Sequence, residues 1–195
     1  MIVPAGKLTI YGPSGSGFSP LVRTFAPAML ENFTRSESDD FVSKLLEQAG
    51  ISTGTGVLDR IYDVTEGHPF VLSAYMHEAY TKISGGNSLK LEHLSAVDLD
   101  FVNIVLAPFF ARFYDQAGKM SRRILSEMAR DEKGEMSLSK LSATLKKESN
   151  ELSPSLAKLI QDGAIIRMDR GKYKLFHHLL GTYIRMRVQQ QQELR

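Results

Sequence analysis

The N-terminal segment carries a glycine-rich loop with the spacing of a phosphate-binding loop. Gly12, Gly15 and Gly17 precede Ser19, and the alternating segment 7–11 before them predicts a short strand. A G-x-x-x-x-G-K-[ST] loop after a strand holds phosphates through its backbone N–H groups, its lysine and its hydroxyl. Gly12, Gly17 and Ser19 occupy matching positions, so Gly12, Gly15, Gly17 and Ser19 are candidate nucleotide-binding residues. Alternatively, residues 7–19 are the last strand of a nucleotide-binding core, and the loop after it only resembles a phosphate-binding loop.

Phe18 stands where this loop requires a lysine. An aromatic ring cannot neutralise the phosphate charge that develops during phosphoryl transfer. No apolar run ending in Asp-Glu follows, and too few residues remain for the other strands of a doubly wound sheet. We therefore expect the isolated chain not to be catalytic, and ATP with Mg²⁺ to bind only if a separate polypeptide supplies a nucleotide-binding core.

Charge divides the chain into two parts. Residues 1–118 carry 8 basic and 13 acidic side chains, a net of −5, whereas residues 119–195 carry 16 basic and 9 acidic, a net of +7. Such an asymmetry indicates two functional units, of which the basic one faces an anionic partner. We place the boundary after Gly118.

The acidic part has the pattern of a helical bundle. Apolar spacing predicts helices at about 36–49, 57–66, 69–83 and 97–117, separated by loops at 51–56 and 84–88. Pro69 suits the first turn of the third helix, and Pro108 is expected to kink the fourth. The apolar residues of the fourth helix form its predicted core face: Phe101, Ile104, Val105, Phe109, Phe110 and Phe113.

The basic part alternates short helices with a hairpin. Helices are predicted at 119–130, from Ser137, and from an N-cap at Ser153 with Pro154 in the first turn. Strands at 164–168 and 172–176 follow, then a helix at 179–188. The glutamine-rich tail 189–195 is expected to be disordered. Alternation places Lys172 and Lys174 on one face of the hairpin and Tyr173 and Leu175 on the other.

Two segments of the acidic part resemble the helical lid of archaeal-type STAND/AAA+ ATPases. Segment 31–41, ENFTRSESDDF, is similar to the step from core to lid, and segment 61–72, IYDVTEGHPFVL, is similar to a lid motif with a Gly-x-Pro turn. The resemblance implies that Gly67, His68 and Pro69 lie against the nucleotide. The alternative is a turn between helices in which Pro69 only begins the next helix.

The basic part resembles a winged helix-turn-helix domain, which follows the lid in the same family. Segment 153–167, SPSLAKLIQDGAIIR, is similar to a recognition helix that ends in glycine and turns into the first wing strand. If the domain binds DNA, this helix enters the major groove. The resulting candidate DNA contacts are Lys146, Lys147, Ser153, Ser155, Lys158, Gln161, Arg167, Arg170, Lys172 and Lys174.

The sequence thus predicts a mainly α protein with four segments. These are a residual strand and glycine loop of a nucleotide-binding core (1–30), a helical lid (31–118), a winged helix (119–188) and the tail. The function it favours is a truncated or paralogous AAA+/STAND-type protein that binds duplex DNA or a protein partner through the basic winged helix. A functional ATP-binding protein or ATPase subunit, and a regulatory module without nucleic acid, are the alternatives.

Composition excludes several kinds of functional site. The chain has no cysteine, which excludes disulfides, thiolate metal sites and cysteine nucleophiles. No apolar run is long enough to span a membrane, and no signal peptide is evident, so we expect a cytoplasmic protein without a membrane partner. No metal site is predicted, because isolated His77 and His93 lack partners and the adjacent His177 and His178 would point apart in a strand.

Overall fold

The computed structural model describes residues 31–83 and 86–193 of the 195-residue chain. The predicted strand at 7–11 and the glycine-rich loop from Gly12 to Ser19 lie outside the described residues. The described residues are 66% helical, with few short strands. The predicted fold class, a mainly α helical bundle followed by a winged helix-turn-helix, is confirmed for the part of the chain described.

Five helices and one π-helical turn form the helical bundle. They are α1 (Arg35–Gln48), α2 (Val57–Thr65), α3 (Pro69–Lys82), α4 (Leu91–Asp100), the π-helical turn (Phe101–Val105) and α5 (Ala107–Tyr114). Two-residue strands, β1 (Ser52–Thr53) and β2 (Ser88–Leu89), pair in parallel where the sequence predicts only loops. Helix α1 begins with a capping box, in which Thr34 and Glu37 satisfy each other's backbone N–H groups.

The long helix predicted at 97–117 is interrupted. The Leu106 N–H donates to the Phe101 carbonyl oxygen at 2.9 Å, an i to i+5 bond that adds a residue to the turn. The extra residue rotates the following side chains away from the 3.6-residue phase. Ile104 is therefore 66% exposed and does not belong to the core face, whereas Phe101, Phe110 and Phe113 are buried as predicted.

Four helices and three strands form the winged-helix unit. They are α6 (Lys119–Met128), β3 (Glu135–Ser137), α7 (Leu138–Leu145), α8 (Ser149–Gln161), β4 (Ile165–Asp169), β5 (Lys172–Leu175) and α9 (His178–Glu193). The antiparallel sheet has the order β3-β5-β4, so the central strand β5 pairs with both neighbours. Strand β3 was not expected from the sequence.

Helix α8 begins five residues earlier than its sequence suggests. Its N-cap is Glu148, whose capping box partner is Glu151, and Pro154 lies inside the helix. The prediction that Ser153 caps this helix is therefore wrong. The Glu148 N–H donates to Glu151 Oε2 at 3.0 Å, so the chain is already helical at Ser153, whose hydroxyl donates to the Ser149 carbonyl instead.

Replacing Pro154 with Ala is expected to raise the free energy of unfolding by about 1 kcal/mol or more. Proline inside a helix removes one hydrogen bond and crowds the preceding turn, although it also restricts the unfolded chain. Urea denaturation measures the change. Pro108→Ala is the control, because Pro108 lies in the first turn of α5 where no N–H bond is lost. Equal changes in the two variants would contradict this account.

Helix α9 joins the winged-helix unit to the bundle. It continues through Gln189–Gln192 to Glu193, instead of ending near Val188 before a disordered tail as predicted. The Tyr183 hydroxyl donates to Asp115 Oδ2 at 2.8 Å, and Arg187 forms an ion pair with the same carboxylate at 3.1 Å. Phe176 packs its ring against Phe113 at 5.0 Å. The two units therefore share one hydrophobic core.

Among the helices of the described residues, none has both the length and the apolar content needed to cross a membrane.

Candidate nucleic-acid interface

The hairpin of β4 and β5 carries the basic wing. Arg167, Arg170 and Lys172 are exposed, and none of them forms an ion pair with another residue of the described ranges. Tyr173 and Leu175 are buried on the opposite face from Lys172 and Lys174, as the alternation predicts. Lys172 lies opposite Asp169 across the hairpin, and the register shifts between Arg167 and Asp169. The wing therefore presents cations whose charge is available to an anionic partner.

Lys174 differs from the other wing cations. It is half-buried and lies opposite Glu135 of β3 in the sheet register. Its positive charge also helps to lower the pKa of Glu66, although the hydrogen bond from His178 is the larger cause. Part of the charge of Lys174 is thus directed towards the protein itself.

The cations around α8 are largely paired within the unit. Lys158 contacts Asp162 at 3.2 Å, and Lys147 contacts Glu151 at 2.6 Å. The Ser153 hydroxyl donates to the Ser149 carbonyl at 2.7 Å. These three predicted DNA contacts already have partners, and each would have to exchange that partner for a phosphate or a base.

The remaining predicted contacts of this region have different surroundings. Lys146 is exposed and follows α7 in the left-handed conformation, with a φ of 52°. Gln161 is exposed near the end of α8, and Ser155 is half-buried. The structure brings the wing residues together on one hairpin, but it places Lys146 and Lys147 in the turn between α7 and α8.

The centre of the outward face of α8 carries small, uncharged side chains. Leu152, Leu156 and Leu159 are buried, so helical geometry places Pro154 and Ala157 on the opposite side. Both are exposed. Large exposed apolar side chains occur nearby in sequence at Ile160 (36% exposed), Ile166 (51%) and Met168 (56%). Sequence reasoning did not identify this apolar character.

The turn from Gly67 to Pro69 lies at the junction of the two units. Gly67 has a φ of +66°, and its carbonyl accepts the Phe33 N–H at 2.9 Å. The His68 side chain is 5% exposed and caps α3 by accepting the Val71 N–H, while Pro69 begins that helix. Burial lowers the pKa of His68 below its ordinary value. Gly12, Gly15, Gly17 and Ser19 lie outside the described residues.

His177 and His178 lie side by side at the same junction. Their ring centroids are 4.8 Å apart and the rings stack, so the expectation that they point apart in a strand is wrong. The reason is that α9 begins at His178, and the preceding residue turns back towards the bundle. Both rings reach Glu66, and ligand atoms of the three residues lie within 4.8 Å of one another.

The hydrogen bonds of His177 leave it no atom for a metal ion. Its Nδ1 accepts the Leu179 N–H at 3.2 Å, so Nε2 carries the proton and donates to the Thr65 carbonyl at 2.9 Å. His178 pairs with Glu66 at 3.1 Å. Burial, followed by the nearby His178, lowers the pKa of His177 to about 4. Only Glu66 and His178 remain as possible ligands, whereas a zinc site needs three or four. The contacts of Glu66, His177 and His178 instead link the end of α2 to the start of α9.

Comparisons with known proteins give a family-model match and similarity to solved structures. Residues 107–184, from the start of α5 into α9, match the model of a domain of unknown function, DUF8462. A solved structure of a RuvB mutant from Thermotoga maritima is similar at 17% identity and a TM-score of 0.37. The similarity covers 80% of this chain and 51% of the other, so the chain spans about half the length of that RuvB structure. No curated protein matches the sequence.

Proposed function

We propose that this chain is the lid and winged helix of an AAA+/STAND-type protein, and that it binds duplex DNA through the basic wing. The observation that carries the proposal is the set of exposed cations Arg167, Arg170 and Lys172, which have no ion-pair partner among the described residues. Duplex DNA presents closely spaced phosphates, and their neutralisation by such cations releases counterions. The net charge of +7 in residues 119–195 supports the same partner.

The proposed contacts bind the phosphate backbone and do not read sequence. Base readout in the major groove uses Arg, Lys, Asn or Gln side chains on the inserted helix. The outward face of α8 offers Gln161 near its end, while Pro154 and Ala157 occupy the centre. We therefore expect weak sequence preference and a strong dependence of affinity on salt.

Fluorescence anisotropy of the full chain on a labelled duplex tests the proposal at low and moderate salt. The triple variant Arg167→Ala, Arg170→Ala, Lys172→Ala is expected to bind about tenfold more weakly at low salt. Each lost phosphate contact should also reduce the slope of log K against log salt by about one. The control removes three lysines from the bundle (Lys44→Ala, Lys82→Ala, Lys90→Ala), which lowers the net charge equally.

Two outcomes would contradict the wing as the DNA-binding surface. The first is an equal loss of affinity in the wing variant and the bundle control, which would reflect net charge alone. The second is the absence of binding at both salt concentrations.

A protein partner is the second candidate, and the uncharged face of α8 favours it. Protein interfaces are depleted in charge at their centres and enriched in apolar side chains. Pro154, Ala157, Ile160, Ile166 and Met168 are exposed and fit that description. If the anisotropy experiment shows no binding, this face becomes the expected contact.

Nucleotide binding stays a prediction. It would use the glycine loop and the turn at Gly67, His68 and Pro69, with ATP and Mg²⁺ held by a core that a separate polypeptide supplies. In the arrangement described here, the ring of His68 packs 5.7 Å from Phe176 and 5.9 Å from His177, measured between centroids.

A further inference from the structure

A cleft lies between the start of α6, the end of α7 and the last part of α9. It has a volume of about 440 Å³, and Gln191 of α9 closes one side. The buried side chains of Tyr114 and Leu145 form its apolar walls. Its polar lining comes mainly from α6: Lys119, Arg122, Arg123, Ser126 and Glu127. We name it the cation cleft.

Three cations of the cleft occupy one side of α6. Lys119, Arg122 and Arg123 are spaced i, i+3 and i+4, which places them within an arc of about 100° around the helix axis. All three are exposed, and none forms an ion pair with a described residue. Arg123 reaches the Leu145 carbonyl at 3.5 Å. The carboxylate of Glu127 also lines the cleft, but it is engaged by Arg130 at 2.9 Å.

This arrangement is electrostatically unfavourable for the protein alone. Like charges at i and i+4 destabilise a helix, and cations in its first turns oppose the helix dipole. Helix α6 has no acidic residue in its first turn, and its N-cap is Gly118, which has no side chain to cap it. A bound anion would reduce both the repulsion between the cations and their unfavourable interaction with the helix dipole.

The cleft is separate from the wing. The hairpin tip at Gly171 lies beside Leu138, at the first residue of α7, whereas the cleft adjoins Leu145 at its last. Because a helix rises about 1.5 Å per residue, these two points are about 10 Å apart along α7. The cleft therefore forms a binding surface distinct from the one proposed for the wing.

We propose that the cation cleft binds a small ligand that carries two or more phosphate groups. The volume is in the range of small-molecule sites, and guanidinium groups pair with phosphate oxygens through two parallel hydrogen bonds. Two arginines and a lysine match several charges on one compact anion. Ser126 and Thr144 border the same space, where the Ser126 hydroxyl bonds to the Tyr114 hydroxyl and the Thr144 hydroxyl donates to the Lys140 carbonyl.

NMR titration of the ¹⁵N-labelled full chain with sodium tripolyphosphate, at constant ionic strength, tests the proposal. We expect saturable shifts in α6 and at the end of α7. The variant Arg122→Gln, Arg123→Gln should bind at least about tenfold more weakly, because two charge-assisted contacts are lost. The control Arg170→Gln, Lys172→Gln removes the same charge from the wing and should retain the affinity.

The cleft variant is not expected to unfold, because it removes repulsion between like charges, and its thermal melting in the absence of ligand checks this. Unchanged affinity in that variant, or no shifts in α6, would overturn the proposal. A parallel titration with a short duplex DNA distinguishes the source of phosphate. If the duplex shifts α6 and tripolyphosphate does not, the small-ligand assignment is overturned. Failure of the wing to bind DNA leaves the result for tripolyphosphate unaffected.

Discussion

Replacing Gly67 with Ala is expected to destabilise the protein by about 3 kcal/mol or more. A Cβ at this position would lie 2.1 Å from the carbonyl oxygen of Phe33, which is a backbone atom and not a flexible side chain. The backbone also has a φ of +66°, which costs a residue with a Cβ about 1–2 kcal/mol. Relief of the clash must move the Phe33 N–H away from the Gly67 carbonyl, so a hydrogen bond is lost as well.

Gly163→Ala separates the two contributions. Gly163 has a φ of +79°, but a Cβ there would meet nothing within 4 Å. The Gly163→Ala variant therefore has the conformational cost without the clash, and its free energy of unfolding should fall by only about 1 kcal/mol. Chemical denaturation of both variants measures the difference. A Gly67→Ala variant no less stable than Gly163→Ala would contradict the close approach of Phe33 to the turn.

The wing shows what local sequence can predict. Gly163 takes the left-handed conformation at the end of α8, and β4 and β5 begin within one residue of the predicted strands. These features depend on neighbouring residues alone, since a glycine ends the helix and alternating apolar side chains define the strand faces. Strand β3 was missed because three residues carry too short an alternation, and only its pairing with β5 makes it a strand.

The π-helical turn shows where periodicity fails. The apolar spacing from Phe101 to Phe113 fits an uninterrupted helix, yet Leu106 bonds to Phe101 across five residues. Pro108 predicts a disturbance of this helix, but apolar spacing alone does not show an added residue. Ile104 was assigned to the core on the same spacing, and its exposure is a consequence of the added residue. The error therefore comes from continuing a 3.6-residue period through a segment in which the π-helical turn shifts the phase.

The junction between the two units shows the same limit for the candidate site. His177 and Thr65 are 112 residues apart and meet through one hydrogen bond. The sequence indicates a turn between helices at Pro69 only as one of two alternatives, and it contains no signal for the cap at His68 or for the contact of Glu66 with His178. Long-range contacts of this kind join residues whose neighbouring sequence does not indicate a distant partner. The sequence identified the basic residues that could contact DNA, but it did not show that Lys158 and Lys147 form ion pairs with acidic residues of the same unit.

Acid is expected to destabilise the protein through His177, by about 2 kcal/mol between pH 6.5 and about 4. Burial lowers the folded-state pKa of His177 from its ordinary value of 6.5 to about 4. The unfolded chain therefore binds more protons in this range, and the free energy of unfolding falls as the pH falls. The contribution is fully present above pH 6.5. Burial lowers the pKa of His68 as well, which adds to the loss in the same direction.

Replacing His177 with Ala should remove most of this pH dependence and lower the stability at pH 7.5 by about 3 kcal/mol. The variant leaves the Thr65 carbonyl and the Leu179 N–H without their partner and creates a cavity where a fully buried side chain stood. His77→Ala is the matched control, because His77 is exposed on α3. Urea denaturation at several pH values measures both effects. If the stability of His177→Ala depends on acid as strongly as that of the wild type, another group causes the acid dependence. His68 is then the first residue to replace, because its ring is buried against His177 and Phe176 at the same junction.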